Sequence, residues 1–307
     1  MDYKLPSPCC CLSSCWHFRP CSSVDSESEC TMALDTAPIG WRSFARYSML
    51  TVVALFILFP VYTTVIAALK PGNKVLDNPL LPNAFTLDVL KNAWTEGRLG
   101  RYLMNTTVVA LIITSVQLVT SIASAYAFSF LKFPLKRLVF GIFLSTLLVP
   151  LEVTLVINRR TIDSLGWLNS FQGLTVPFIA TAFGTFLLRQ VFMQIPPDLR
   201  EAAQMDGLGH WGFMKEVAIP LVRPTLGALG LFSFLASWNQ YLWPSLITTE
   251  DDMNTVQTGL RHLASSDLDK PNLIMAGTII AAVPILIVLV VFQKQLVRGL
   301  TAGAVKG

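Results

Sequence analysis

Six apolar runs alternate with shorter polar stretches along this chain: Tyr47–Leu69, Tyr102–Leu131, Leu138–Asn158, Leu165–Leu188, Pro224–Thr249 and Pro271–Gln293. Each reaches the roughly 20 residues that a helix needs to cross a bilayer. Five contain no Asp, Glu, Lys or Arg, and the third contains only Glu152. None shows the alternation of a membrane β-barrel strand. The pattern predicts an all-α membrane protein of six transmembrane helices. Pro60, Pro150, Pro177, Pro244 and Pro284 fall inside these runs. Each removes an intrahelical hydrogen bond and favours a kink.

Between the fourth and fifth runs the pattern changes. Pro196-Pro197 stops the fourth helix, and Asp198, Arg200, Glu201 and Asp206 follow within a few residues. Asp198 suits an N-cap, with Glu201 completing a variant capping box. Glu201 through Met205 are good helix formers, and Gly207 or Gly209 ends the helix. A second amphipathic stretch is expected over Trp211–Ala218. So short and polar a helix either faces a partner in water or lies on its own bundle, and local physics leaves both open. Elsewhere, the loop before the second run is Pro-rich and then reads helical over Leu87–Trp94. Ser121, Ala125 and Ser129, at four-residue spacing, permit close helix packing, read as packing within the chain rather than between subunits.

Composition supports the membrane assignment. The chain is 53% hydrophobic and 14% charged, against about 25% charged in an average soluble domain. The net charge of +4 is then read as loop asymmetry, not nucleic-acid affinity. Lys132, Lys136 and Arg137 place their short loop in the cytoplasm, and counting outward puts both termini and the 196–222 loop there too. All six cysteines lie within the first 30 residues without zinc-like spacing. Residues 1–40 are therefore expected to be a disordered or mispredicted leader, with Met32 as an alternative start. Residues 41–307 are expected to form the membrane domain.

Polar residues inside spans face a cavity or another helix. Glu152 and Asn158, with Arg159-Arg160 beyond, are candidates for a solute pathway at the outer end of the third helix. Asn169, Ser170 and Gln172 open the fourth. Ser237, Asn239, Gln240 and Tyr241 are candidates in the fifth, where Ser233, Ser237 and Tyr241 are expected on one face. For each, hydrogen bonding between helices is the competing reading. Gly207-Leu208-Gly209-His210-Trp211-Gly212 matches a dinucleotide-loop pattern, but it follows a capped helix rather than a strand. No zinc-protease or serine-hydrolase motif occurs, which argues against an intramembrane enzyme. A secondary transporter acting alone would show inverted repeats or more intramembrane charge.

The polar segment resembles the EAA loop of ABC-transporter permease subunits. The resemblance rests on Glu201, Ala202, Ala203, Asp206, Gly207, Phe213, Val217, Pro220 and Pro224, and on their place before the last two helices. It implies the type I ABC importer permease fold, with residues 198–207 as a cytoplasmic coupling helix docking on an ATP-binding subunit. Glu201, Ala202, Ala203, Asp206 and Gly207 would carry that coupling. The chain has no phosphate-binding Gly-x4-Gly-Lys-Ser/Thr loop, so ATP and Mg would sit on partner subunits, with no cofactor and no metal here. Leu151-Glu152-Val153, Ser164-Leu165-Gly166 and Trp238-Asn239-Gln240-Tyr241-Leu242-Trp243-Pro244 are similar to the second permease subunit of carbohydrate-type importers, most of all the glycerol-phosphate group. Maltose and trehalose permeases share much of this pattern. The implied partners are a homologous second permease subunit, two ATP-binding subunits and an extracytoplasmic substrate-binding protein. The implied location is the bacterial inner membrane. Arg159, Arg160 and Arg101 would suit a phosphate-bearing solute.

Overall fold

The computed structural model describes residues 41–71, 86–266 and 271–301, so the leader expected over residues 1–40 lies outside the described residues. The chain divides into two units, one ending at Phe56 and the other comprising Ile57–Gly307. In the first, the described residues form the start of α1 (Trp41–Leu69), with Leu50, Val52, Leu55 and Phe56 exposed.

The regular secondary structure of the second unit's described residues is all helical. After α1 come α2 (Asp88–Glu96), α3 (Leu99–Phe130), α4 (Lys136–Ser145) and α5 (Leu151–Ser164). Next are α6 (Phe171–Thr175), α7 (Ala182–Phe192), α8 (Pro197–Met205) and α9 (His210–Gly212). A π-helical turn, Phe213–Ala218, leads to α10 (Ile219–Leu221) and α11 (Arg223–Trp238). The chain ends with α12 (Leu242–Ile247), α13 (Val256–Ser266) and α14 (Pro271–Thr301). The helix expected near Leu87–Trp94 is present as α2, with Val89 and Ala93 buried.

Among the described residues, three helices are long and apolar enough to cross a membrane unaided: Ser43–Leu69, Leu99–Phe130 and Pro271–Lys294. These agree with the first, second and sixth predicted spans. The other three are bent pairs of helices, sharper than the proline kinks expected. The third is split at Pro150 into Lys136–Leu148 and Glu152–Ser164, bent by 99°. Val149, extended at φ −82° and ψ 115°, has the geometry forced on a residue before proline. The fourth is split into Phe171–Phe178 and Ala182–Phe192, bent by 44°. The fifth ends as a regular helix at Trp238, and its bend of 79° lies earlier, between His210–Leu221 and Arg223–Trp238. Counting each bent pair as one span gives up to six.

Breaks free backbone groups that a bilayer cannot satisfy, so they must be paired inside the protein. Much of that pairing comes from α3. Gln117 Nε2 donates to Phe178 O at 2.6 Å, and Thr120 Oγ1 to Ile179 O at 3.0 Å, serving the break in the fourth span. Asn105 Nδ2 donates to Asp252 O and Asn254 O at 2.7 and 3.0 Å, and Val256 N donates to Thr106 Oγ1 at 2.8 Å. The small residues of α3 pack within the chain, as expected: Ser121 and Ala125 are buried, and a Cβ added at Gly184 of α7 would strike Ser121 Oγ.

The C-terminal end of α3 is held by cations from three other segments. A helix leaves its last carbonyls without intrahelical partners and its end partially negative. Arg189 of α7 donates to Phe128 O at 3.4 Å, and Arg200 of α8 to Phe130 O at 3.3 Å. Lys136, opening α4, donates to Ser129 O at 3.2 Å and Leu131 O at 2.9 Å. Leu131 N takes Ala127 O, so every carbonyl from 127 to 131 has a donor. The guanidiniums of Arg189 and Arg200 also lie over the Phe140 and Phe130 rings, at 4.2 and 5.9 Å.

The segment after α7 follows from local chemistry, with one correction. Proline at the first helical position starts α8, Pro196 is the cap residue, and no side chain caps the helix. Asp198 therefore lies within the first turn, where the helix dipole favours an acid, and the expected Asp198–Glu201 capping box does not form. Proline needs no partner for a missing N–H, so it displaces the aspartate from the cap. The other end forms as expected. Gly207 is left-handed at φ +80°, Gly207 N donates to Gln204 O at 3.0 Å, and Leu208 N to Ala203 O at 2.9 Å. This is the paired Schellman closure, with Leu208 and Ala203 in one hydrophobic cluster.

Lys136→Met is expected to leave two carbonyls unpaired and cost about 1–3 kcal/mol, read as a lower midpoint in thermal unfolding of the purified protein. Gly207→Ala forces a Cβ into left-handed backbone at a cost of about 1–2 kcal/mol. It should speed limited proteolysis between Met193 and Val222 relative to wild type.

Candidate functional site

The two candidate regions lie at opposite ends of α3. Asn105 bonds the 252–254 segment and Tyr126 bonds His210, and these residues are roughly 30 Å apart along the helix at 1.5 Å per residue.

At the C-terminal end, α8 is pinned on one side and open on the other. Ala203 is buried against a cluster containing Tyr126, Leu188, Phe192 and Phe213. Phe130 meets Phe213 edge-on at 5.3 Å between ring centres. Tyr126 Oη donates to His210 O at 2.9 Å and lies 3.1 Å from His210 Nδ1, fixing the chain just past the turn. The opposite face carries Asp198, Glu201, Ala202 and Met205, all exposed, Met205 at 89%. Of the five expected coupling residues, Glu201, Ala202 and Asp206 are thus exposed, Gly207 shapes the turn, and Ala203 is the inward anchor. Behind α8 lies a cavity of about 300 Å³, lined by Tyr126, Arg200, Gln204, Leu208 and His210 among others. The aromatic seat under the loop carried no sequence signal beyond Phe213, because Tyr126, Phe130 and Phe192 come from distant helices.

The expected pathway residues are not gathered in one place. Glu152 is exposed in the first turn of α5, directly after the Pro150 break, instead of at the far end of a span. Asn158 is half-buried on the same helix, which packs on α12 through Leu155, Ile162, Trp243 and Ile247. Asn169 is a clamp. It accepts from Thr249 N at 2.7 Å and Glu250 N at 3.1 Å, and donates to Thr249 Oγ1 at 2.8 Å. Ser170 caps α6, accepting from Gly173 N. The single face expected for Ser233, Ser237 and Tyr241 does not exist, because the helix ends at Trp238 and Tyr241 lies beyond the break. Asn239 bonds back to Leu235 O at 2.9 Å, and Gln240 Oε1 is buried without a partner among the described residues.

Tyr241 does line a cavity of about 530 Å³ between α12 and α13. Its other polar groups include Thr249, Asp251, Arg261 and His262. Arg261 donates to the Tyr241 hydroxyl and lies over its ring at 5.4 Å. Sequence reasoning missed Arg261 and His262. The available signal was the helical spacing of Val256, Leu260 and Leu263, which leaves Arg261 and His262 on the exposed side of α13.

Comparison with known proteins agrees with this architecture. A family model described as binding-protein-dependent transport system inner membrane component matches residues 117–302. The sn-glycerol-3-phosphate transport system permease protein UgpE of Yersinia pestis bv. Antiqua (strain Antiqua) is 37% identical over 262 residues, covering 82% of this chain and 93% of that one. The protein of the same name from Escherichia coli O1:K1 / APEC is 34% identical over 270 residues, covering 85% and 96%. Among solved structures, a bacterial ABC transporter involved in the import of the acidic polysaccharide alginate superposes with a TM-score of 0.73 at 22% identity, over 82% of this chain and 95% of that chain. The bent spans and the polar loop before the last helices are thus those of a type I ABC importer permease, and this chain belongs to the binding-protein-dependent transport system inner membrane components.

Proposed function

We propose that this permease imports glycerol-3-phosphate or a glycerophosphodiester as one half of a heteromeric translocation pathway. In this reading a homologous second permease subunit supplies the other half. Two separate ATP-binding subunits hold ATP and Mg, one of them docking on α8, and an extracytoplasmic binding protein delivers the solute at the opposite end of α3. The chain itself catalyses no reaction. Its permease domain is residues 41–307, with both termini and the 196–222 loop in the cytoplasm, in line with Lys132, Lys136 and Arg137 between the second and third spans.

The observation that carries the coupling is the division of α8. Ala203 and Arg200 fix it to the bundle, while Asp198, Glu201, Ala202 and Met205 face outward. A nine-residue helix held on one side moves with the spans it is pinned to, so a partner gripping the free side moves α3 and α7 with it. The solute class is supported by the glycerol-phosphate permeases that are 34% and 37% identical to this chain over most of its length.

The test is uptake of labelled glycerol-3-phosphate, its diesters and disaccharides by cells carrying the whole transporter, wild type or Glu201→Ala. The wild type should accumulate the phosphate esters and not the disaccharides. Removing a central contact residue of an interface costs about 2 kcal/mol or more. Glu201→Ala should therefore lower uptake by at least about tenfold and reduce the ATPase subunits retained on purification. Normal uptake with full ATPase retention would remove α8 as the docking element.

A further inference from the structure

The cavity beside Tyr241 is lined by hydroxyls, a carboxylate and a guanidinium. It is formed where the fifth predicted span breaks, at Asn239–Tyr241, and where α13 folds back past α12. Its volume of about 530 Å³ lies within the range of small-molecule sites.

Most of its hydroxyls are already committed. Thr248 donates to Pro244 O at 2.7 Å, Thr258 to Thr255 O at 2.8 Å and Ser245 to Leu242 O at 2.8 Å. Three groups differ. Arg261 spends one N–H on the Tyr241 hydroxyl, and its remaining N–H groups have no hydrogen bond or ion pair among the described residues. Tyr241 accepts that bond, so its own O–H proton is left to donate. Thr249 Oγ1 likewise accepts from Asn169 at 2.8 Å and keeps its proton. The Tyr241 ring under the guanidinium holds the charge in one orientation. On the acidic side, the two neighbouring aspartates divide. Asp252 pairs with Arg98 at 3.0 Å, while Asp251 lines the cavity.

A site with a fixed guanidinium, two hydroxyl donors and one carboxylate acceptor matches a solute that is anionic at one end and carries hydroxyls at the other. Guanidinium is suited to phosphate oxygens because its N–H groups form a planar fork. The carboxylate accepts from hydroxyls and repels a second anionic group, which sets the orientation. We propose that this cavity receives the phosphate-bearing polyol during transport, with Arg261 and Tyr241 on the phosphate and Asp251 on the hydroxyls. This assignment rests on the glycerol-phosphate reading above.

The experiment uses the complete transporter in proteoliposomes with its binding protein, and measures uptake of labelled glycerol-3-phosphate by wild type, Arg261→Gln, Arg261→Lys and Tyr241→Phe. Losing a charged hydrogen bond to phosphate should lower uptake by about tenfold or more in Arg261→Gln. Arg261→Lys should recover part of that loss, and Tyr241→Phe should show a smaller one. Co-purification of all subunits reports assembly. Uptake by Arg261→Gln within twofold of wild type would overturn the assignment. So would equal losses in the Gln and Lys variants, or loss of subunits, since either marks a structural role. A wild-type transporter that carries disaccharides but no phosphate ester overturns the solute reading first, and this assignment with it, before any variant is measured.

Discussion

The end of α3 is the constraint on which much of this fold depends. A helix of 32 residues whose one charged residue, Arg101, lies in its first turn must finish at its other end by exposing carbonyls that no hydrocarbon can satisfy. Here Lys136, Arg189 and Arg200 supply the donors, and they arrive from the start of α4, the end of α7 and the middle of α8. Three segments far apart in sequence thus meet at one point because one helix terminus needs them. The same helix serves the broken backbone of its neighbours through Asn105, Thr106, Gln117 and Thr120. With these groups paired, the breaks in the other spans can persist inside the protein.

This arrangement links the two ends of the molecule. Asn105 and Thr106 hold the 252–256 segment, from which α13 and Arg261 follow, while Tyr126 and Phe130 hold the loop after α8 at His210 and Phe213. Motion applied to α8 through Arg200 and Ala203 therefore acts on the same rigid helix that supports the Tyr241 cavity. A stiff helix suits this role, since its own hydrogen bonds do not change when it tilts.

The chain determined a good deal by itself. Hydrophobic run length identified the membrane class and the three unbroken spans, because a bilayer demands about 20 apolar residues wherever a helix crosses. Gly207 announced the end of α8, since left-handed backbone is cheap only for glycine. Glu201-Ala202-Ala203 with Asp206-Gly207 located the polar loop through its resemblance to a family. Other features depend on partners distant in sequence, and only the tertiary structure decided them. Run length cannot locate a break when α3 supplies its hydrogen bonds, as Gln117 does for Phe178. Asp198 looks like a cap until Pro197 takes the first helical position. Asn169 resembles a pathway residue until the 247–250 turn folds onto it. Arg261 is an ordinary surface cation in the sequence, and becomes an oriented donor because the break after Trp238 brings Tyr241 beneath it.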